Sequence, residues 1–536
     1  MKRKAYIEQL PTCFINDLML EKLADQITPH NQNKLISLLS ELTTDIETIN
    51  YRLDIIDDLI AIPELLGTLR KVVDIILTND RRSIYQLTTP DSFTALDSAV
   101  AAFEAYIRCM EIMHEHYLKK GSMARSDGIK RLYGFFEGRY SSRHFTKLRS
   151  LVQELRNSMN GRIRSVTIAV NFDEGLLPVS VGLVGFSDKE YEPAPTLLDR
   201  IVNFGRTNEN VVMKRLRERY TDDGTGQGTE ERLADRELFR ELDVVTKKYV
   251  NSIEKILAEY QAVGFEDMCA LEYQLDFYMG EISIIENTAA KGLKMCRPKL
   301  LPPDKRRLSV RNIFDPIYFG EANAYNLYHA DKKSVVTNDI TFDENAGFYV
   351  LTGANNGGKT TFLRAVGICQ VLAQAGFYVP AEECELSLCD CIYTHFPKEE
   401  KAGIDASRFT EEIKEFKAIS DVITDKSLLL MNESIQSTTP KECVEIASKL
   451  VRVFCIIGVR GIYATHLTDI AYRVDELNRD EKLSTLLSSI VVCTDKKTGE
   501  RLYKIEKGCP QETSFADSIF EKFGLDIEAI EKRAGK

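Results

Sequence analysis

The sequence lacks several features that would place it in a class of protein at once. No apolar run approaches the roughly 20 residues that span a bilayer, and the basic N-terminus has no apolar core of signal-peptide length. The twelve cysteines follow no regular framework: Cys389 and Cys391 are close, but no second pair completes a zinc-site spacing. These absences predict a cytoplasmic protein with reduced cysteines and no membrane contact.

Length and composition indicate a multidomain globular protein. The chain has 536 residues, 44% of them hydrophobic and 28% charged, which is too long for one core and too apolar for disorder. No internal repeat or low-complexity tract interrupts it. The net charge of −11 argues against indiscriminate nucleic-acid binding, although a local basic surface remains compatible with it.

One basic segment, residues 119–164, stands out against this acidic background. It holds twelve Lys and Arg residues against Asp127, Glu137 and Glu154, and aromatic residues are mixed in. Two interpretations stay open. The segment is either a solvated helix face with its core residues, or a patch that contacts nucleic acid or an acidic partner.

The first half of the chain predicts helices and a small β insert. Apolar stripes at helical spacing recur up to about residue 165, and residues 165–186 then alternate as two strands around a turn. Residues 230–290 contain no proline, and a helix of that length would extend roughly 90 Å. We therefore predict a mostly helical region over residues 1–300, with an extended arm and a small β insert near 165–225.

The second half predicts a different architecture. Prolines cluster at residues 298–303, and strands then alternate with helices as in an α/β sheet. The fold class predicted is multidomain α plus α/β, with a second domain over residues 301–536. That domain ends in a helical segment, about residues 514–532, with a hairpin before it.

A glycine-rich segment in this second domain indicates its chemistry. Residues 353–360 fit the phosphate-binding pattern G-x-x-x-x-G-K-[ST] at every fixed position, after an apolar strand and before a helix. The glycines let backbone N–H groups surround a polyphosphate. Lys359 would reach the terminal phosphates, and the Thr360 hydroxyl would bind Mg²⁺. The alternative is a glycine-rich turn in an ordinary α/β unit.

Polar residues at the ends of later strands supply candidate partners. The apolar strand at 428–431 ends in Asn432 and Glu433, where a metal ligand and a water-activating carboxylate are expected. Asn432 stands where aspartate is usual, so we expect weaker Mg²⁺ binding or slower hydrolysis. His466 ends another strand and could bond the γ-phosphate, or be a surface histidine. Ser407 could bind an anion or simply cap a helix.

Taken together, these residues resemble the MutS family of ATPases. Residues 352–361 read T-G-A-N-N-G-G-K-T-T against the family's T-G-P-N-M-G-G-K-S-T. Further matches in the same order are the sequences at Gly376–Ala381, Ser407–Glu412, Leu430–Glu433, Ala464–His466, Tyr503–Ile505 and Ser514–Ala516. The resemblance implies an ABC-type P-loop ATPase domain that uses ATP and Mg²⁺. It assigns cofactor binding to Gly353, Ala354, Asn355, Asn356, Gly357, Gly358, Lys359, Thr360, Thr361 and Ser407.

The resemblance also implies an assembly and a partner. In the family the ATPase dimerises, and the counterpart of Ser407 completes the nucleotide site of the opposite subunit. By the same resemblance, residues 1–300 would form the family's helical core and lever region, with a clamp-like insert near 165–225. The long arms of this region would then enclose duplex or branched DNA. Only about 350 residues precede the glycine-rich segment, so we expect no mismatch-reading or connector domain.

Three hypotheses about function follow. The first is an ATP-dependent, ATP-hydrolysing DNA clamp related to mismatch repair, in which Glu433 and His466 are catalytic and Thr360 and Asn432 hold the metal. The second is an ATP-switched interaction scaffold with little or no DNA binding, favoured by the acidic net charge and Asn432. The third, a structural-maintenance or transporter-type ATPase, lacks support because its L-S-G-G-Q signature is missing.

Overall fold

The structure is a computed structural model that describes residues 12–78, 93–160, 165–172, 178–187, 265–329, 334–354, 357–396, 405–435, 439–495 and 501–510. These residues form two compact units. One holds the described parts of Met1–Leu66, Met123–Lys130 and Tyr273–Lys536, and the other those of Gly67–Ser122 and Arg131–Glu272. This division differs from a boundary at residue 300, which stays a prediction.

The helices dominate the first part of the chain, as the apolar periodicity predicts. In chain order they are α1 (Cys13–Asp17), α2 (Leu20–Ile27), α3 (Gln32–Ser40), α4 (Ile46–Ala61), α5 (Pro63–Thr78), α6 (Phe93–Lys120), α7 (Asp127–Tyr140), α8 (Arg143–Asn160), α9 (Phe265–Ala290), α10 (Pro316–Tyr328), α11 (Lys359–Ala375), α12 (Asp405–Val422), α13 (Pro440–Ile457), α14 (Thr468–Tyr472) and α15 (Val474–Leu477). Within the described residues, no helix is long and apolar enough to cross a membrane.

Helix α4 illustrates how local sequence sets a helix and its buried face. Asp45 caps its first turn, because the side chain accepts a hydrogen bond from the Glu47 N–H at 3.1 Å. Ile49, Leu53 and Ile56 recur on one face and are buried. Ile60 belongs to the same apolar stripe by its spacing from Ile56, but its side chain is 42% exposed. A stripe read from spacing alone cannot tell a core position from its margin.

The strands within the described residues form three separate sheets. They are β1 (Ser165–Phe172), β2 (Pro178–Ser187), β3 (Lys299–Leu301), β4 (Leu308–Ile313), β5 (Asn338–Phe342), β6 (Phe348–Thr352), β7 (Glu383–Ser387), β8 (Ile392–His395), β9 (Leu428–Asn432), β10 (Arg460–Thr465), β11 (Leu487–Thr494) and β12 (Arg501–Lys507). Strands β1 and β2 pair antiparallel, with Ser165 opposite Ser187, so the small β insert is confirmed at these residues.

The largest sheet has six strands in the order β12-β11-β6-β10-β9-β8. Five of them run parallel, and β12 pairs antiparallel with β11 at one edge. Strands β6, β9 and β10 are buried along their whole length, which explains their unbroken apolar runs. Because β6, β10 and β9 are neighbours and parallel, the residues that follow them emerge at the same edge.

A second sheet of four strands, in the order β3-β7-β4-β5, mixes parallel and antiparallel pairs. The main core lies where β6 and β9 pack against α12 and α13, around Phe348, Leu429, Phe416 and Phe454. The N-terminal helices join the same unit: the Arg52 guanidinium donates to the Ala375 carbonyl at 3.0 Å. A helical N-terminal region followed by mixed α/β sheets is therefore confirmed.

Several predicted features lie outside the described residues. These are the part of the predicted insert after residue 187, the part of the long helix before residue 265, and the last helix at about 514–532. The hairpin before that helix is confirmed by the pairing of β11 with β12, in which Thr494 is opposite Arg501.

Candidate nucleotide-binding site

The glycine-rich segment joins β6 to α11 in the middle of the six-stranded sheet. Gly353 has a φ of +146° and Gly358 a φ of +93°, conformations that side chains disfavour. A Cβ at Gly353 would lie 2.8 Å from the Val492 Cβ, so the backbone passes too close to β11 for any side chain. The helix expected after the loop is present: α11 begins at Lys359, inside the glycine-rich pattern, and ends before Gly376, whose φ is +84°.

Lys359 is the buried cation of this loop. It is 4% exposed, and its Nζ donates to the Gly353 carbonyl at 2.8 Å and the Ala354 carbonyl at 3.2 Å. The Glu433 carboxylate lies 3.4 Å from the same nitrogen. Burial lowers the pKa of Lys359, and Glu433 opposes this shift. The ammonium is therefore held by carbonyls and one carboxylate in a place where phosphate oxygens could take over.

Thr360 and the end of β9 meet beside this lysine. The Thr360 hydroxyl lies 3.3 Å from the Asn432 Oδ1, and Asn432 is 5% exposed. The next residue, Glu433, has a φ of +47°, and its N–H donates to the Ala464 carbonyl at 2.7 Å. The parallel order of β6, β10 and β9 thus brings together four side chains that are up to 74 positions apart in sequence: Lys359, Thr360, Asn432 and Glu433.

These four side chains line a cavity of about 750 Å³. The same cavity is lined by Tyr318 on α10, by Val335 and Val336, and by Tyr503 on β12. Tyr503 has a φ of +56° and its ring lies 3.3 Å from where a Cβ at Gly358 would be. Burial raises the pKa of Tyr318, and Tyr503 and Glu321 add to the shift. The cavity therefore combines a polar wall with aromatic and aliphatic surface.

The N-terminal end of α10 also belongs to the site, although the sequence did not indicate it. Asp315 caps this helix by accepting from the Ile317 and Tyr318 N–H groups, and its carboxylate also pairs with Arg364 of α11. Burial raises the pKa of Asp315, and Arg364 opposes the shift. This pair fixes Tyr318 relative to the glycine-rich loop. No pattern marks Asp315 or Tyr318 in the sequence, whereas Tyr503 lies in the closing Tyr-Lys-Ile match.

The other residues predicted for the site differ in whether they line the cavity. Thr361 lines the cavity, Ala354 is exposed, and Asn355 and Asn356 lie outside the described residues. His466 follows β10 and is exposed, and it is not among the residues that line the cavity. Ser407 lies in the first turn of α12, where its side chain is not described. The structure thus brings Gly353, Gly357, Gly358, Lys359, Thr360, Asn432 and Glu433 together.

In the basic segment at 119–164, aromatic and cationic residues differ in their exposure. Its aromatic residues Tyr133, Phe136 and Phe145 are buried, so they belong to a core. Its cations are largely exposed, including Lys119, Arg143 and Arg149. Arg149 pairs with Glu111 at 3.0 Å. A cationic surface is therefore present, but these rings are not available to stack on bases.

Comparisons with known proteins match both halves of the chain. A family model described as MutS domain V matches residues 349–532, and one described as MutS2 N-terminal domain matches residues 44–290. The first covers the glycine-rich loop, most of β6 and the strands β7 to β12, and so includes Lys359, Thr360, Asn432, Glu433 and Tyr503 of the cavity.

Curated relatives give the same result over shorter spans. A DNA mismatch repair protein MutS from Chlorobium phaeobacteroides is 31% identical over 213 residues, 37% of this chain and 24% of that protein. An Endonuclease MutS2 from Finegoldia magna is 31% identical over 218 residues, 39% of this chain and 26% of that protein. A MutS protein homolog 4 from Homo sapiens is 28% identical over 182 residues, 34% of this chain and 19% of that protein. The matches thus span 26% or less of these relatives. Together with the two family models, they show that the chain belongs to the MutS family.

Proposed function

We propose that this protein is an ATPase that binds ATP and Mg²⁺ in the cavity at the glycine-rich loop. The observation that carries the proposal is the convergence of Lys359, Thr360, Asn432 and Glu433 on one cavity of about 750 Å³. A cavity of this size fits a ligand such as a nucleotide. The order of the six-stranded sheet and the loop at the start of α11 support an ABC-type P-loop domain.

The phosphates would lie against the loop. Lys359 is already desolvated and would exchange carbonyl oxygens for phosphate oxygens, with the exposed N–H groups of the first turn of α11 beside it. Tyr503 and Tyr318 would contact the base, since aromatic rings stack on any nucleobase. The aliphatic surface of Val335 and Val336 suits a flat apolar ring.

The donor set at the end of β9 fits Mg²⁺. Thr360 and Asn432 present a hydroxyl and an amide oxygen 3.3 Å apart, and Mg²⁺ prefers oxygen ligands supplemented by water and phosphate. When bound, the ion would neutralise charge that develops on the phosphates. Glu433 would orient and deprotonate the attacking water. Asn432 brings no negative charge, so slow hydrolysis is part of the proposal.

The test of this site compares ATP binding and turnover in the wild type, Lys359→Ala and Glu433→Gln. Lys359→Ala should lose binding, and Glu433→Gln should keep binding but lose turnover by about 100-fold or more. Lys426→Ala is a matched control, because Lys426 is exposed and precedes β9 at the end away from Asn432. Equal hydrolysis by all four proteins would show that the assigned site is wrong.

The proposal includes a dimer in which each subunit completes the other's site through Ser407. Support comes from the family resemblance and from the place of Ser407 in the first turn of α12. A mixing experiment separates this from a site within one chain. Ser407→Ala and Lys359→Ala should each lose turnover. Their mixture should regain about a quarter of wild-type activity, because half the dimers then hold one intact site. No recovery in exchanged subunits would refute the shared site.

We further propose that the dimer acts as a clamp on duplex or branched DNA without reading mismatches. The exposed cations of the segment at 119–164 support contact with phosphates. Binding to homoduplex, mismatched and branched DNA at two salt concentrations tests this. We expect salt-sensitive affinity that does not favour mismatches. If none of the three DNA substrates shows salt-sensitive binding, the alternative is an ATP-switched scaffold in the cytoplasm. The buried aromatic residues and Asn432 favour that alternative.

A further inference from the structure

A hydrogen-bonded chain of three polar side chains, two of them buried and Glu415 partly exposed, begins at the residue after Glu433. The Ser434 Oγ and the His395 Nδ1 are 2.7 Å apart, and the His395 Nε2 is 3.2 Å from the Glu415 Oε2. Ser434 is 2% exposed and His395 is 8% exposed. None of these three described residues lines the cavity, so the chemistry at the phosphates does not account for them.

The direction of one of these hydrogen bonds follows from the chemistry of its acceptor. A carboxylate can only accept, so the Nε2–H of His395 donates to Glu415. The other ring nitrogen, Nδ1, shares a hydrogen bond with the Ser434 hydroxyl, and that hydroxyl also lies 3.4 Å from the His395 carbonyl oxygen. The three groups form one continuous chain from α12 through the end of β8 to the residue after Glu433.

The backbone around Ser434 needs such support. Glu433 and Ile435, on either side of Ser434, have φ values of +47° and +62°. Residues other than glycine disfavour this backbone conformation. Ser434 is held on both its polar groups, since the Tyr463 hydroxyl also donates to its carbonyl at 2.7 Å. The direction in which the Glu433 side chain points thus depends on how Ser434 is anchored.

The far end of the chain lies on the helix that carries Ser407. Glu415 and Phe416 are both in α12, and the Phe416 ring lies 4.3 Å from the His395 ring, centroid to centroid. A displacement of α12 would move both neighbours of His395 together. Because packed side chains and hydrogen bonds transmit displacements of this kind, His395 would carry it to Ser434.

We propose that His395 and Ser434 are positioning residues that couple α12 to the orientation of Glu433. This inference depends on the proposed function, which gives Glu433 its role and Ser407 its partner site. Engagement of Ser407 by a nucleotide would shift α12, and the shift would reach Glu433 through Glu415, His395 and Ser434. A subunit whose Ser407 completes its partner's site would in this way set the activity of its own site.

Four substitutions separate the links of this chain. Ser434→Ala removes the last link. His395→Asn keeps a polar atom near the position of Nδ1 and loses the contact with Glu415, whereas His395→Gln does the reverse. Thr394→Val is the matched control, because Thr394 is the neighbouring buried residue of β8 and its hydroxyl has no partner among the described residues.

The kinetic result expected is a change in kcat without a change in ATP binding. Ser434→Ala and His395→Gln should lower kcat about tenfold or more with the Kd for Mg²⁺-ATP within about twofold, because a misplaced catalytic group loses rate and not affinity. His395→Asn should keep most of kcat, and Thr394→Val should match the wild type. If ATP is bound and hydrolysed but all four variants behave alike, the coupling is wrong and the proposed function stands.

Hydrogen exchange with a non-hydrolysable ATP analogue tests the coupling itself. In the wild type the analogue should slow exchange both in α12 and at residues 433–435. In Ser434→Ala the change in α12 should remain and the change at 433–435 should disappear. Parallel changes in both segments of that variant would overturn the proposal. A wild type that binds no nucleotide would instead overturn the proposed function, and the coupling with it.

Discussion

Asn432→Asp is the substitution that most directly tests the metal assignment. The Asn432 Oδ1 lies 3.3 Å from the Thr360 hydroxyl, and the side chain is 5% exposed. Replacing the amide with a carboxylate puts a negative charge beside Glu433 with almost no change of volume. In the absence of a metal ion, Lys359 is the cation of the loop and already pairs with Glu433, so the new buried charge adds repulsion against Glu433.

The structure gives the sign and the rough size of two effects. A hydrogen bond to a charged acceptor exceeds one to a neutral acceptor by about 1–1.5 kcal/mol, which is roughly tenfold in affinity. We therefore expect the Mg²⁺ concentration for half-maximal ATP hydrolysis to fall about tenfold, and turnover to rise. Without Mg²⁺ the free energy of unfolding should fall by about 1–3 kcal/mol, the penalty for an unpaired buried group.

The assay is Mg²⁺ titration of ATP turnover, together with thermal unfolding with and without Mg²⁺ and a non-hydrolysable nucleotide. The variant should unfold at a lower temperature than the wild type without ligands and at a higher temperature with them. Asn50→Asp is the control, because the Asn50 Oδ1 accepts from the Arg297 guanidinium at 3.0 Å, a bond that a carboxylate keeps, and Asn50 is not among the residues that line the cavity. An unchanged Mg²⁺ requirement in Asn432→Asp would refute the assignment of this side chain to the metal.

Three further predictions concern the base, a buried acid and the core. Tyr503→Ala should weaken ATP binding about tenfold in equilibrium titrations, because the stacking ring is lost, whereas Tyr503→Phe should bind ATP as the wild type does. Equal affinities of the two variants would show that the Tyr503 ring does not contact the base. Burial raises the pKa of Glu281 to about 8, opposed by the Tyr378 N–H, so the folded chain holds a proton that the unfolded chain has lost. Stability should therefore fall as pH rises from about 5 to 8, and Glu281→Gln should flatten this dependence in denaturant titrations; an unchanged slope would contradict it. Phe454→Ala should cost about 3–5 kcal/mol of unfolding free energy, since Phe454 is fully buried, whereas Val453→Ala beside it, 43% exposed, should cost far less.

Much of the polar wall of the site could be predicted from the sequence. Lys359, Thr360, Asn432 and Glu433 stand in short patterns whose chemistry is local: glycines before a lysine, and polar residues after an apolar strand. The helix after the loop and the hairpin of β11 and β12 were equally readable, because periodicity and turn residues act over a few positions. His466 and Ser407 remain predictions about the site, since their side chains are exposed and undescribed, respectively.

The aromatic wall could not be predicted in the same way. Tyr318 and Tyr503 are 185 positions apart, and their meeting depends on the Asp315–Arg364 pair and on β12 joining the edge of the sheet. The basic segment shows the same limit. Its charge could be read from the sequence, but the burial of Tyr133, Phe136 and Phe145 depends on which helices pack against it.

The sequence alone thus determined the family, the glycine-rich loop and the residues that would hold phosphate and metal. All of these depend on local backbone conformation and on the order of short motifs. The tertiary structure decided which distant side chains share the cavity, and it placed His395, Ser434 and Glu415 in one hydrogen-bonded chain behind Glu433. Contacts of this kind arise from the order of strands and the packing of helices, and neither leaves a periodic mark in the sequence.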